Sequence, residues 1–204
     1  MDALQRRHPR DFDLYIGLEE AAGELDGYWT DVVPGLFQTE RYARFLIESK
    51  SDVSPEQVER RLKIRMARQA LVSRIAHPLW VKMVLNEDVL HCPIGGTDVM
   101  VEQLRHLVVV SQRNNVTLRV MPFSAGFHPG ILSGPFVKLG FPITANGSPS
   151  EPATVYVEGF TGALFLEQPQ EIEQYSEAFA GIWEASMSEV ESVNYIAKLA
   201  REMQ

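Results

Sequence analysis

The hydrophobic period of this chain changes at His77-Pro78, and that change limits the folds open to it. Before it, apolar residues recur every three or four positions, the spacing of a buried helical stripe; after it come short alternating or unbroken apolar segments, the spacing of strands. Neither an all-helical bundle nor an all-strand sandwich accommodates both. Proline also disfavours helical angles in the residue before it, so the dipeptide bounds the preceding helix.

In the first part, Leu14, Leu18, Ala21, Ala22 and Leu25 form the stripe of an opening helix that Gly27 ends. Pro34-Gly35 makes a turn, and Thr39 is placed to cap a helix burying Tyr42, Phe45 and Leu46. Ser54-Pro55-Glu56-Gln57 is a stronger start signal, with a capping serine, proline at the first helical position and glutamine three residues after the cap. The helix it opens carries Val58, Leu62, Met66 and Ala70 on one face.

In the second part, residues 79–85 read as a strand and 96–112 as a helix with Met100, Leu104, Leu107 and Val108 in its stripe. Val116, Leu118 and Val120 alternate as in a half-buried strand, and further strands are expected over 136–141, 154–158 and 163–167. Turn residues mark 142–152 as a loop, including Asn146-Gly147-Ser148. Two helices close the chain: one presents Ile172, Tyr175, Phe179, Ile182 and Trp183, and the other opens with Ser188 and Glu191 as a capping box. The expectation is an α+β fold, a mixed sheet of about five strands with packed helices and an N-terminal helical layer. A chain of 204 residues, 45% of them hydrophobic, suits a single domain. Within it, 1–78 form the helical layer, 79–168 the sheet with one helix, and 169–204 the two C-terminal helices.

The net charge of −8 and pI of about 5.2 oppose nucleic-acid binding, which needs clustered cations facing phosphates. The one basic run, Arg60 to Arg68, spreads around a helix and reads as a solvated face. A lone cysteine, Cys92, excludes an internal disulfide and a thiolate zinc site and points to a reducing cytoplasm. The opening residues lack a signal-peptide apolar region, and no run reaches the roughly 18 apolar residues of a membrane span. Nucleophile-elbow, phosphate-loop, His-Glu-x-x-His and Cys-x-x-Cys patterns are absent, so no cofactor or metal is expected. Gly95-Gly96 precedes a helix but reads as its entry turn, because Asp98 already supplies the negative charge there.

Several motifs answer to one another along the chain. They are Val33-Pro34-Gly35-Leu36-Phe37-Gln38-Thr39-Glu40-Arg41-Tyr42-Ala43, Arg68-Gln69, Gly95-Gly96-Thr97-Asp98 with the helix it opens, Pro122-Phe123 through Pro129-Gly130, Gly134-Pro135-Phe136 and Val155-Tyr156-Val157-Glu158. Together they resemble the domain of unknown function that follows an Xre-type helix-turn-helix in many actinobacterial transcriptional regulators. The resemblance runs from about Tyr15 onward, and about a dozen residues before it are too few for the DNA-reading helices.

The resemblance raises the polar members of these motifs as ligand-binding candidates: Gln38, Tyr42, Arg68, Gln69, Glu87, His128, Tyr156 and Glu158. His128 sits in Gly-Phe-His-Pro-Gly, whose backbone constraints can fix an imidazole for ligand contact or simply for a turn. Tyr156 and Glu158 share a strand face with Thr154, lining a polar pocket or facing solvent. What the resemblance implies is an effector-sensing or partner-binding module without its own DNA-binding head. It would take a small-molecule effector or a small acidic partner protein, make no direct contact with nucleic acid or membrane, and be free to form a homodimer. The alternative is a small cofactor-independent enzyme of specialised metabolism, an isomerase, cyclase or hydrolase, using His128, Glu158, Tyr156 and Glu87 as acid, base and oxyanion donor. A third reading leaves only docking through the terminal helices. A pocket shared by the N-terminal layer and the sheet would bring Gln38 or Tyr42 near His128 or Tyr156.

Overall fold

The computed structural model describes residues 9–50 and 53–203. Helix α1 (Pro9–Ala21) leads into strand β1 (Glu24–Trp29), a 3-10 turn over Gly35–Phe37, then α2 (Glu40–Glu48), α3 (Pro55–Arg68) and the short α4 (Ala70–Ser73). Next come β2 (Trp80–Asn86), α5 (Glu87–His91), α6 (Thr97–Val110), β3 (Val116–Met121), a 3-10 turn at Phe123–Ala125 and α7 (Gly130–Ser133). Strands β4 (Phe136–Gly140), β5 (Thr154–Glu158) and β6 (Ala163–Leu166) precede α8 (Pro169–Ala185) and α9 (Glu189–Glu202).

The six strands form one mixed sheet in the order β3-β2-β1-β4-β5-β6. Strands β1, β2 and β3 are parallel, while β4, β5 and β6 continue antiparallel from β1. The α+β expectation holds, as do the five strands read from alternation. The sixth, β1, corrects the expectation of one helix running to Gly27: the helix stops at Ala21, and Leu25 and Gly27 lie in a central strand. Its glycine has a physical cause. A Cβ on Gly27 would come within 2.3 Å of the Trp29 ring, which folds back across that position on the same sheet face.

On one face, Leu25, Val81, Met83, Leu85, Leu118, Val120 and Leu139 meet apolar residues of α1, α2, α6 and α9 in the main core. On the other, Tyr28, Val84, Met121, Phe136 and Val155 meet Phe179 and Ile182 of α8. Helices on both faces thus bury alternate residues of the same strands. Helix α1 turns a different face inward from the one the spacing suggests: Tyr15, Glu19 and Ala22 are buried while Leu14 is exposed, because the tyrosine and carboxylate have a partner on α3. In α2 the buried residues are Tyr42, Ala43 and Ile47, and Phe45 faces outward. The serine cap of α3 and the Ser188–Glu191 capping box of α9 both form as the sequence indicates.

Candidate functional site

The Val33 to Ala43 motif is a polar clasp. Tyr42 Oη accepts from Val33 N–H at 3.2 Å, Gln38 Nε2 donates to Val33 O at 2.6 Å, and Thr39 caps α2. Gln103 of α6 closes the turn from the other side, donating to Phe37 O and accepting from Thr39 N–H, each at 2.7 Å. Arg65 donates to Gln38 Oε1 at 2.8 Å, and Gln69 donates to Gln38 O at 2.6 Å. Burial raises the Tyr42 phenol to about 12, so it stays protonated. Gln38, Tyr42 and Gln69 are therefore joined in one internally satisfied network.

Arg68, one turn on from Arg65 on the same helix, also borders this turn, its Nη1 lying 3.6 Å from where a Cβ of Gly35 would stand. Its guanidinium donates from Nε and Nη2 to Glu19, both at 2.8 Å, and Tyr15 Oη donates to the same carboxylate at 2.8 Å. The Tyr15 ring stacks on Tyr156 with centroids 4.2 Å apart. Burial, with the neighbouring Glu19 carboxylate next in weight, raises the Tyr15 phenol well above its ordinary range. Glu19 and Tyr15 escaped the sequence reading; the only signal was a glutamate inside an apolar stripe.

A third group lies where the parallel strands end. The C-terminal ends of β1, β2, β3 and β5 share one edge of the sheet, and the chain from β3 to β4 crosses over it. Glu87, first residue of α5, accepts from Phe123 N–H at 2.7 Å and from Tyr195 Oη at 2.5 Å. His91 Nε2 lies 2.8 Å from Tyr195 Oη; since the single phenolic proton goes to Glu87, Nε2 is the donor. Burial first, then the Glu87 bond, raises the Tyr195 phenol. Further along the crossing, His128 is buried edge-on to Tyr28, and its Nδ1 accepts from Gly130 N–H at 3.2 Å. Asn86 donates to Tyr28 Oη at 3.1 Å. Burial lowers the His128 imidazole below its ordinary value, which keeps it neutral with Nδ1 as acceptor.

Glu158 is exposed at the end of β5, while Thr154 and Tyr156, on the same face, are buried. The candidates therefore fall in separate places: Gln38, Tyr42 and Gln69 in the clasp, Arg68 between the clasp's Gly35 and Glu19 of α1, Tyr156 beside α1, and Glu87 and His128 under the crossing loop. Gln38 and Tyr42 belong to the main-core face, His128 to the Tyr28 face beneath α8, so the sheet stands between them. Tyr156 does share the N-terminal layer, through Tyr15.

Over the strand ends, the crossing loop presents Phe123, Phe127, Ile131 and Leu132 to solvent, and the β5–β6 hairpin adds Phe160 at the same edge. Residues 122–135 contain no Asp, Glu, Lys or Arg. Of the motifs that carry the resemblance, Pro122 to Gly130 and Gly134-Pro135-Phe136 lie at this edge and Val33 to Ala43 forms the clasp. A family model for a domain of unknown function, DUF5753, matches residues 12–198. The chain belongs to the DUF5753 family. No curated protein matches it. Among the described residues of this DUF5753 fold, no helix is long and apolar enough to cross a membrane, and no three His, Cys, Asp or Glu side chains converge as metal ligands.

Proposed function

We propose that the chain is the partner-binding module of an Xre-type transcriptional regulator family, acting in the cytoplasm, and that its recognition face is the edge where the parallel strands end. The observation that carries this reading is the set of five exposed apolar side chains, Phe123, Phe127, Ile131, Leu132 and Phe160, on two neighbouring connections. Exposed apolar clusters on a rigid support mark interaction sites, and open sheets bind their ligands beyond the carboxyl ends of parallel strands. The loop is held in advance at both ends: Glu87 fixes the Phe123 amide and His128 fixes Gly130. Holding a loop before contact lowers the entropy lost on binding.

A protein partner fits this surface better than a small effector, because the apolar side chains stand outward. Two surface pockets of about 430 and 540 Å³ lie elsewhere, between α2 and α3 and at the start of α8. Exposed Asp31 and Asp88 flank the same strand ends, so a small acidic partner, as the resemblance implies, would meet them through an apolar contact segment with basic neighbours. Photo-crosslinking from position 132 in cells identifies the partner, and titration of the purified pair then tests the face. Phe127→Asp with Leu132→Asp lowers affinity at least about tenfold, roughly 1.4 kcal/mol, while Arg44→Glu between α2 and α3 leaves it unchanged. Equal affinity for wild type and double variant would discard the reading.

A further inference from the structure

Helix α8 covers only part of the sheet face on which it packs. Trp80, Lys82 and Val84 of β2 and Thr117 and Arg119 of β3 alternate with residues of the main core, so they point to the α8 side. There α8 buries Tyr28, Val84 and Phe136, but Trp80 is 55% exposed and Lys82 is exposed too, on a strand with neighbours on both sides. A large ring left open on an inner strand is the informative kind of exposed apolar group. The face of α8 that borders this area carries Ser176, Ala180 and Trp183, all uncharged, and the small, exposed Ala180 keeps the wall low.

Charge is divided unevenly across the uncovered rows. In β1 both carboxylates lean toward β4: Asp26 pairs with Lys138 at 3.1 Å, and Glu24 Oε2 lies 3.6 Å from where a Cβ of Gly140 would stand. The β2–β3 half keeps two cations, and among the described residues no carboxylate comes within ion-pair distance of Lys82 or Arg119. Arg119 is nonetheless held in place: its guanidinium lies 4.2 Å from the Trp183 ring centroid, and Nη1 donates to Trp183 O at 3.0 Å. That bond uses one of its five N–H donors, and among the described residues its Nε is the one buried side-chain nitrogen or oxygen with no hydrogen-bond partner. An oriented, part-buried guanidinium without a counter-charge is under-compensated within this chain. Lys82 stands opposite Thr117 across the β2–β3 pair, and Arg119 is the next residue on the same face, so two long cationic side chains flank one hydroxyl.

We propose that Lys82, Thr117 and Arg119 hold the carboxylate of a small aromatic acid whose ring lies against Trp80. Lys82 supplies a movable point charge and Arg119 a fixed planar fork, a pair suited to a carboxylate. Trp80 lies two residues before Lys82 on the same face, one side-chain repeat away, and an anion without a ring would leave it uncovered. The site sits toward the start of the parallel strands, away from the recognition face, and does not depend on that assignment.

Phenylpropionate is the probe, followed through the indole N–H signals of the three tryptophans in the nitrogen-labelled chain. The Trp80 and Trp183 signals are expected to move with a dissociation constant of about 1 mM or below, while Trp29, on the opposite face, stays still. Phenylpropanamide, which lacks the charge, and inorganic phosphate, which lacks the ring, each bind at least about fivefold more weakly. Lys82→Ala and Trp80→Ala, both at exposed positions, weaken phenylpropionate binding read at Trp183 by a similar factor, with an unchanged melting temperature. Indole signals that do not move up to about 10 mM, an amide or a phosphate that binds as well as the acid, or an affinity unaltered in either variant would each overturn the proposal.

Discussion

Arg68 and Glu19, 49 residues apart in sequence, are joined by two 2.8 Å hydrogen bonds in a pair whose carboxylate is 1% exposed. The pair fastens α1 to α3, and with the Gln38 clasp it ties the helical layer to the turn motif on one side and to Tyr156 of the sheet on the other. Removing one partner leaves a buried charge without compensation, which costs about 3–5 kcal/mol.

Arg68→Ala is therefore expected to lower unfolding free energy by about 3–5 kcal/mol. Replacing both partners by apolar residues, Glu19→Leu with Arg68→Met, recovers part of that loss, because neither charge remains to be desolvated while the buried Tyr15 hydroxyl loses its acceptor. Urea unfolding of the two variants checks this; a double variant as unstable as Arg68→Ala would mean that the contact is needed for its shape and not for charge balance.

His128 gives the stability a pH dependence. Its imidazole is buried neutral and lies below its ordinary value of 6.5 in the folded chain. As pH falls through 6.5 the unfolded state takes up the proton first, so stability present above that pH is lost progressively until the folded imidazole titrates too. His128→Asn keeps an acceptor for the Gly130 amide and removes the proton site. Its melting temperature should fall less between pH 7.5 and 5.5 than that of the wild type. His106, also lowered by burial, adds a dependence of the same sign.

Gly130 sits where two buried rings leave no room. A Cβ there would lie 2.6 Å from the Tyr28 ring and 2.9 Å from His128. Gly130→Ala is expected to cost about 1–3 kcal/mol through overpacking, and to displace the loop that carries Phe127 and Ile131. Gly17→Ala, whose Cβ meets nothing within 4 Å, is the matching control. Thermal unfolding of both separates steric from helix-propensity effects.

Strands β2 to β6 were legible because their side chains alternate or run unbroken between turn residues, and the Thr39, Ser54 and Ser188 caps because the motif is local in sequence. Strand β1 was not, for two physical reasons. Its Leu25 continues the three-to-four spacing of Leu18 and Ala22, and its interior Gly27 and Asp26 look unlike a central strand until Trp29 and Lys138 are seen to cover them. The candidate residues were legible as motif members, but their partners were not. Nothing local shows which arginine of the run from Arg60 to Arg68 turns inward, since that depends on Glu19 and Gln38 approaching from elsewhere. Gln103 left one trace, a polar residue beside the apolar positions Met100, Leu104 and Leu107 of α6.

The most direct test of the recognition face is amide hydrogen exchange of the chain with and without the partner captured from position 132. The account predicts that protection on binding concentrates in residues 122–133 and 159–162, the two connections that hold Phe123, Phe127, Ile131, Leu132 and Phe160. Protection confined to the surface pocket between α2 and α3, or to the outer surface of α9, would contradict it.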